Sequence, residues 1–225
     1  MTRKKYLNKK KTLKIKKHIL EKFINNKNRK ENILLINQTN VNKLDFNNKE
    51  TENFFQKIVK ILNVAFERER EYHISKGIYP IGYKHDINTI KNNIYRSNYD
   101  TYILTNKKMQ PISFFYIEKN DDDFDKVWTV CADKKFRGKG LTGKLMDFAI
   151  KKQIENSNLN RRNMLLEVFN DDIINRQEKD VKQHQIMNFF NSKGFKEINP
   201  NKLSQHSFNN LLSKTGETKI MVLNK

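Results

Sequence analysis

Residues 127–146 read Val-Trp-Thr-Val-Cys-Ala-Asp-Lys-Lys-Phe-Arg-Gly-Lys-Gly-Leu-Thr-Gly-Lys-Leu-Met. This order places an apolar strand before a glycine-rich loop, and the loop leads into an amphipathic helix. Gly138, Gly140 and Gly143 let a backbone approach a ligand closely, while the first turn of the helix presents unpaired N–H groups at the positive end of its dipole. The stretch is therefore predicted to bind phosphate groups.

The composition is that of one polar folded domain with an appendage. The chain has 225 residues, of which 36% are hydrophobic and 31% are charged. No apolar run approaches the roughly 18 to 20 residues that span a bilayer, and the N-terminus lacks the apolar segment of a secretory signal. Cys131 is the single cysteine, so the chain forms no internal disulfide. We predict a soluble, intracellular and cytoplasmic protein with no membrane partner.

The excess positive charge is concentrated at the N-terminus. Residues 1–30 contain thirteen Lys or Arg and one Glu, and so carry +12 of the net charge of +20. Such an arm is either a solvated tail or a means of holding nucleic acid or another polyanion, and it could direct the protein to the nucleus. We predict an arm over residues 1–30 and one folded domain over residues 31–225. The arm is either disordered or a docked helix, because apolar residues recur in it at Leu13, Ile15, Ile19, Leu20, Phe23 and Ile24.

Apolar periodicity predicts strands and helices on both sides of the loop. Before the loop we expect a strand, a helix with Thr51 as its N-cap, a short helix and three antiparallel strands, at residues 33–37, 52–70, 86–95, 99–105, 111–119 and 126–132. After it we expect an amphipathic helix, a buried strand, a helix ended by Gly194 and a last strand, at residues 141–154, 164–169, 181–190 and 219–223. The sum is an α+β domain with a mixed sheet and helices on both faces.

Two common phosphate-binding motifs match the loop but not its surroundings. A P-loop needs Ser or Thr after its Lys to hold Mg²⁺, whereas Leu145 follows Lys144 and belongs to the apolar face of the helix. A dinucleotide fold needs the glycines directly after the first parallel strand, whereas here hairpin strands come first and residues 133–137 intervene. Both interpretations are disfavoured.

A third interpretation begins with Arg137-x-x-Gly140 between a strand and a helix, which resembles motif A of the GCN5-related N-acetyltransferases (GNATs). Two further blocks extend the resemblance. Met164-Leu-Leu-Glu-Val-Phe-Asn is similar to the family's fifth strand, and Gln185 to Phe195 is similar to its closing helix, which ends in Gly-Phe. The resemblance implies a single domain with a mixed, mostly antiparallel sheet that splays between its fourth and fifth strands.

The resemblance also implies acetyl-CoA as the acetyl donor, held in that splay without a metal. The backbone of Val130 and Ala132 would pair with pantetheine, the loop amides would hold pyrophosphate, and Lys139 and Lys144 would add positive charge. Thr142 stands where the family more often has Gly or Ala, so its side chain must point away from the phosphates. The expected cofactor-binding residues are Val130, Cys131, Ala132, Arg137, Gly138, Lys139, Gly140, Leu141, Thr142, Gly143, Lys144 and Gln183.

Catalysis in such a family is direct attack of a neutral amine on the thioester, which needs a base for the amine and an acid for the departing thiolate. Relatives often use a tyrosine four residues before the glycine of the closing Gly-Phe as the acid, but this chain has Phe190 there. Another group or water must then protonate the thiolate, or the protein turns over weakly or not at all. The candidate replacements are His184, Tyr116 and Tyr102.

Glu167 is the first candidate for the base, because it is a carboxylate within an apolar strand. Its structural alternative is a hydrogen bond to a neighbouring loop. Asp125 lies near the place where some relatives carry a catalytic carboxylate, but the matching position holds Lys126. The acidic run that ends at Asp125 either attracts a cationic amine or forms a solvated turn. Cys131 is either a covalent nucleophile or a small buried hydrophobic residue.

The sequence therefore predicts an acetyl-CoA-dependent N-acetyltransferase that acts on a primary amine of a small molecule or protein. The alternative is a weak or inactive CoA-binding module that its basic arm tethers to nucleic acid or another polyanion. Neither the acceptor amine nor the oligomeric state is indicated by the residues.

Overall fold

The computed structural model describes residues 24–27, 31–75, 85–119, 124–156, 163–169, 179–199, 201, 203 and 218–223. Within these ranges, the description of residues 24–27, 68, 72, 73, 169, 179–184 and 218 is limited to their backbone. Residues 1–23 of the predicted arm and Asp121, Asp122 and Asp123 lie outside the described residues.

The described strands form one eight-stranded sheet in the order β1-β2-β3-β4-β5-β6-β8-β7. Neighbouring strands are antiparallel except for the parallel pair β5 and β6. The α+β fold with a mixed, mostly antiparallel sheet is thus confirmed. Strand bounds are β1 Ile24–Lys27, β2 Glu31–Ile36, β3 Tyr99–Asn106, β4 Pro111–Glu118, β5 Phe124–Ala132, β6 Asn163–Phe169, β7 Lys196–Ile198 and β8 Thr218–Leu223.

Strand β1 comes from the last part of the predicted arm. It pairs with β2, with Ile24 opposite Leu34 and Lys27 opposite Asn32. Residues 24–27 therefore belong to the sheet rather than to a helix. Because of this extra strand, the splay that the sequence predicted between strands four and five corresponds to β5 and β6.

Helices cover both faces of the sheet, as the sequence predicted. One face packs on α1 and α3 through residues such as Phe55, Ile58 and Ile90. The other packs on α4 and α5 through residues such as Leu145 and Met187. We call them the α1/α3 face and the α4/α5 face. The helices are α1 Lys49–Ala65, α2 Glu67–Ser75, α3 Ile87–Tyr95, α4 Leu141–Asn156 and α5 Lys179–Ser192, and none of them has the length and apolar character of a membrane span.

The helix predicted over residues 52–70 is two helices. Asn48, not Thr51, is the N-cap of α1, because its side chain accepts from the N–H groups of Glu50 (2.9 Å) and Thr51 (3.4 Å). Thr51 is buried in the first turn. The break falls at Phe66, after which the charged α2 has no apolar stripe of its own. The prediction of one continuous helix over residues 52–70 is therefore wrong, because the apolar stripe of α1 ends at Phe66.

Strands β5 and β6 pair only at their N-terminal ends. Their register runs from Phe124 opposite Asn163 to Val127 opposite Leu166. Beyond this point β5 continues to Ala132 against β4, while β6 continues to Phe169 against β8. The two strands diverge, and we call the space between residues 128–132 and 167–169 the gap. The predicted splay is confirmed.

A β-bulge in β5 lies at the beginning of the gap. Trp128 is opposite Tyr116, but the next pair is Cys131 opposite Phe114, so β5 holds one extra residue. Within it Thr129 has a φ of 54°, the left-handed region that a β-branched residue rarely adopts. Bulges bend a strand and re-aim its side chains. This one turns the C-terminal half of β5 where it leaves β6.

Replacing Thr129 with Gly is expected to leave the free energy of unfolding unchanged or to raise it by about 1 kcal/mol. The strain at this φ costs about 1–3 kcal/mol, which offsets the roughly 0.5–1 kcal/mol entropic cost of glycine. Urea unfolding measures the change. The matched control is Thr101→Gly, because Thr101 is buried in the regular strand β3 and should lose stability. Equal losses in the two variants would show that Thr129 is not strained.

Candidate functional site

The glycine loop after β5 is open to solvent. Asp133 begins it by donating its N–H to Ile112 O (2.8 Å) and accepting from Lys135 N (2.9 Å). Gly138 and Gly140 follow with φ values of 73° and 69°. A Cβ built at either glycine would meet no atom within 4 Å. Glycine is needed there for the backbone conformation, and the space in front of the loop is empty.

The first turn of α4 leaves N–H groups unused by the helix. Its first helical hydrogen bond runs from Lys144 N to Gly140 O (3.1 Å). The N–H groups of Leu141, Thr142 and Gly143 precede that bond, and such groups attract anions together with the helix dipole. The sequence prediction of a phosphate-binding loop therefore has the backbone geometry that it requires.

Exposed cations surround these amides. Arg137 donates from Nε to Ala132 O (3.1 Å), Lys139 lies over the Phe136 ring (5.3 Å to its centroid), and Lys144 Nζ lies 3.7 Å from Glu31 Oε2. Surface contacts of this kind are weak, so these side chains can exchange them for a phosphate. We call the amides of residues 141–143 and these three cations the anion cradle.

Thr142 is turned away from the cradle. Its hydroxyl and that of Ser113 on β4 share a hydrogen bond of 3.1 Å, and Ser113 Oγ also donates to Cys131 O (2.8 Å). Ser113 is fully buried. The side chain of Thr142 therefore fastens the first turn of α4 to the sheet and leaves its N–H outside, which is the orientation that the resemblance required.

Gly143 has a different role from the other two glycines. A Cβ there would lie 3.2 Å from Lys193 Nζ and 3.7 Å from Phe189 Cε2. Lys193 in turn binds both carboxylate oxygens of Asp147 on α4, at 2.7 and 2.8 Å. Gly143 thus makes room for the end of α5, and the expectation that it clears space for a ligand is wrong for its side-chain position.

The edge of β5 presents backbone groups to the gap. Because the N–H of Asp133 points to β4, the alternation of the strand turns the N–H and C=O of Ala132 toward the gap. Val130 lies within the bulge. Strand β6 is paired with β8 on its other side. An extended ligand could therefore add to this edge of β5 as a further strand.

Cys131 points away from the gap. Its thiol is buried in the core of the α1/α3 face, where Sγ donates to Phe114 O (3.5 Å). Burial raises the pKa of this thiol to about 12. The interpretation of Cys131 as a buried hydrophobic residue is supported, and the covalent scheme is not.

Cys131 is therefore expected to resist a thiol reagent such as 5,5′-dithiobis(2-nitrobenzoate) at pH 8 in the native protein. The raised pKa keeps the thiol protonated there, because the thiolate would form only as the pH nears 12. The same protein in guanidinium should react with one equivalent, since the chain has one cysteine. Rapid labelling of the folded protein would contradict the buried placement.

Glu167 forms a buried ion pair with Lys126 across the two diverging strands. The Lys126 Nζ to Glu167 Oε1 distance is 2.5 Å, and the side chains are 7% and 6% exposed. Lys126 also lies over the Trp128 ring, 3.9 Å from its centroid, and Trp128 Nε1 donates to Glu118 Oε2 (2.8 Å). From the sequence, Lys126 was expected only to occupy a position where some relatives have a carboxylate, and the ion pair was not predicted. A Lys and a Glu, each within an otherwise apolar strand, could have indicated it.

The two candidate tyrosines occupy opposite faces of the sheet. Tyr116 lies on the α1/α3 face, its hydroxyl accepts from Asn93 Nδ2 (3.0 Å), and burial raises its pKa to about 12. Tyr102 lies beneath α4, where Gln153 donates to its hydroxyl (3.4 Å) and burial raises its pKa. Tyr116 is opposite Trp128, which lies beside the gap. Tyr102 is on β3, so β4 and β5 lie between it and the gap. Tyr102 is therefore not placed to serve the gap.

Asp125 does not belong to a solvated turn. It is 3% exposed, and its charge helps to raise the pKa of Tyr102 beneath α4. The expectation of a solvated acidic run is wrong at this residue, because β5 begins at Phe124 and carries Asp125 into the sheet. His184 and Gln183 lie in α5, where the structure describes only their backbone.

Phe190 is a structural residue at the end of α5. The N–H of Phe195 donates to Phe190 O (3.1 Å) after Gly194, whose φ is 88°. This bond and the contact of the two phenyl rings (centroids 5.9 Å apart) form a Schellman motif. Phe190 is 6% exposed. The position that holds an acid in many relatives is filled here by a buried hydrocarbon ring.

An open groove of about 430 Å³ lies elsewhere, on the outer surface of α4 beside the end of α5. Its apolar lining includes Ile150 and Ile154. The charged residues around it pair with one another, as Lys193 does with Asp147 and Lys151 with Glu155. These pairs leave the groove without the converging polar groups of the cradle and the gap.

Solved structures share this arrangement of strands and helices. An acetyltransferase of the GNAT family from Staphylococcus aureus is 16% identical, with 86% of this chain and 98% of that chain covered and a TM-score of 0.54. The chain has the GNAT fold. An acetyltransferase from Streptococcus agalactiae (16% identity, 75% and 90% covered) and the PaiA N-acetyltransferase from Thermoplasma acidophilum in complex with coenzyme A (14% identity, 86% and 99% covered) give TM-scores of 0.50 each. No family model matches the sequence, and no curated protein is significantly similar to it, so the likeness to GNAT proteins is one of fold.

Proposed function

We propose that this protein is an acetyl-CoA-dependent N-acetyltransferase that moves acetyl to a primary amine of a small molecule or protein. The observation that carries the proposal is the position of the anion cradle directly beside the gap between β5 and β6. A GNAT-fold relative was solved with coenzyme A. A ligand with a pyrophosphate and an extended amide arm would fit a cradle followed by an unpaired strand edge.

The residues of the cradle and the gap would divide the binding of acetyl-CoA between them. Arg137, Lys139 and Lys144 would neutralise the pyrophosphate, and the N–H groups of residues 141–143 would donate to its oxygens. The backbone of Ala132 and Val130 would pair with the amides of the pantetheine arm. When bound, acetyl-CoA supplies an activated acetyl thioester.

Glu167 is the group best placed to accept the proton of an attacking amine. It is the first residue of β6 after the last pair with β5, and so it lies where the gap begins. Met164, Leu166 and Val168 belong to the core of the α4/α5 face, so the alternation of β6 directs Glu167 to the α1/α3 face. The acceptor amine would accordingly approach from the α1/α3 face, opposite α4.

Acetyl-CoA is expected to stabilise the protein against heat, whereas equal concentrations of ATP or NAD should stabilise it much less. A ligand at about 100 times its Kd that binds only the native state adds about 2.7 kcal/mol. Differential scanning fluorimetry measures the shift in Tm. Stabilisation by ATP or NAD without stabilisation by acetyl-CoA would overturn the proposal.

Gly140→Ala is expected to weaken acetyl-CoA binding at least about tenfold, because it strains the left-handed backbone of the cradle and places a methyl group in the ligand's space. Isothermal titration measures the affinity. Gly194→Ala is the matched control, since Gly194 also has a positive φ but its Cβ would lie 3.0 Å from Leu223 Cδ1, away from the cradle. The control should lose stability and keep its affinity. If both variants bind acetyl-CoA as the wild type does, the cradle is not the binding site.

Phe190 favours a second candidate function, a CoA-binding module without turnover whose basic arm holds a polyanion. Release of CoA thiol from acetyl-CoA over a panel of polyamines, amino acids, aminoglycosides and basic peptides separates the two candidates. Turnover with any amine supports the transferase, while tight binding of acetyl-CoA without turnover supports the module.

The second candidate also predicts that removing residues 1–23, which leaves β1 in place, abolishes any salt-dependent affinity for DNA.

A further inference from the structure

The proposed acetyl transfer leaves one role without a residue. The sulfur of coenzyme A must take up a proton as it departs, or a positive group must stabilise it as a thiolate. Phe190 has no proton to give, and the Schellman contact with Phe195 buries its ring. The inference below rests on the proposed function and concerns the residue that fills this role.

Lys126 lies at the apex of the gap. It is the residue before the last β5–β6 pair, Val127 opposite Leu166, and Glu167 is the residue after it. Their ion pair therefore bridges the two strands where they begin to separate. The edge of β5 from Val127 to Ala132 spans about 17 Å at the usual rise of a strand. An arm that enters at the cradle and follows this edge ends beside Lys126.

Stability does not explain this ion pair. Burying two charges costs free energy that their attraction often fails to recover, and apolar residues of similar size are often as good or better. Val127, Leu165 and Leu166 beside the pair are buried and apolar, whereas Asp125 is buried beneath α4. Lys126 is the one buried cation among the described residues. Burying a positive charge at this apex costs solvation free energy, and this cost points to a function for the charge.

The surroundings hold the Lys126 ammonium in a defined position. Glu167 binds it on one side, the ring face of Trp128 lies 3.9 Å away, and Glu118 fixes the Trp128 ring through its indole N–H. The aromatic face and the carboxylate both attract the ammonium, so its position is set from two sides. Glu118 and Glu167 are the acidic groups near it on the α1/α3 face, while Asp125 and Asp100 belong to the network beneath α4, where Lys119 and Gln153 bind Asp100.

We propose that Lys126 is the group whose positive charge stabilises the departing thiolate of coenzyme A. The acceptor nitrogen forms its bond to the acetyl carbon, the carbon–sulfur bond breaks, and its electron pair stays on sulfur. Glu167 takes a proton from the acceptor nitrogen and passes it to solvent, while the Lys126 ammonium keeps its own proton and holds the thiolate until coenzyme A departs. Lys126 thus stabilises the thiolate in a chain where Phe190 cannot give it a proton.

The test uses coenzyme A itself and needs no acceptor amine. The ultraviolet absorbance of the thiolate is followed against pH in the complex with the full-length protein, and desulfo-coenzyme A gives the background. In the wild type the acid dissociation constant of the bound thiol should exceed that of free coenzyme A by at least about tenfold, because an ammonium beside the sulfur favours the thiolate.

Three variants decide the role of Lys126. Lys126→Met/Glu167→Gln removes both charges, avoids leaving one of them unpaired in the interior, and should lose the increase in thiol acidity while still binding coenzyme A. Lys126→Arg keeps the positive charge and should retain it. Lys108→Met, at an exposed turn between β3 and β4, is the control for a lysine elsewhere.

The outcomes separate this role from the proposed function. If coenzyme A binds the wild type and the double variant with the same thiol acidity, Lys126 does not face the sulfur, and the proposed function stands without it. If coenzyme A fails to bind the wild type, both the proposed function and this role are wrong. Loss of the effect in the double variant alone, with Lys126→Arg and Lys108→Met unchanged, supports the assignment.

Discussion

The separation of β5 from β6 after Val127 and Leu166 is the constraint on which the rest of the site depends. Two strand edges inside a domain leave backbone N–H and C=O groups that need partners. Strand β8 pairs with the outer edge of β6 and β4 pairs with the outer edge of β5, so neither supplies partners to the two edges that face the gap. The inner edge of β5 leads directly to the glycine loop, so a ligand bound as proposed would contact both.

The charges of the site are arranged along this edge. At its outer end the anion cradle is exposed, and the surface contacts of its three cations are weak. At its inner end the Lys126–Glu167 pair is buried, so the same kind of charge acts in a medium where it is screened much less. An anionic ligand would be held by the first group and would bring its reactive end to the second. In the proposed function, binding by exposed charge is thus separated from chemistry by buried charge.

The local features of the site were predictable from the sequence. Glycines at positions 138 and 140 permit the left-handed backbone of the loop, and the apolar periodicity after them begins a helix, so both the loop and α4 were expected where they lie. Contacts between distant residues were not predictable. A side chain at Gly143 would collide with Lys193 and Phe189 at the end of α5, and Asp125 is buried beneath α4 rather than solvated. Sequence patterns carry no information on which helix will lie over a given glycine or carboxylate.

The sequence by itself determined the glycine loop and most of the strands and helices, because backbone conformation and apolar periodicity act over a few neighbouring residues, and its resemblance to the GNATs indicated the fold. It did not predict β1, β7 or the division between α1 and α2. Only the tertiary structure decided that Lys126 meets Glu167 at the apex of the gap, that Thr142 turns inward to Ser113, and that Phe190 closes α5 against Phe195. Each of these depends on which elements become neighbours. Burial then fixes the outcome, since a charge, hydroxyl or ring that enters the interior must find a partner there.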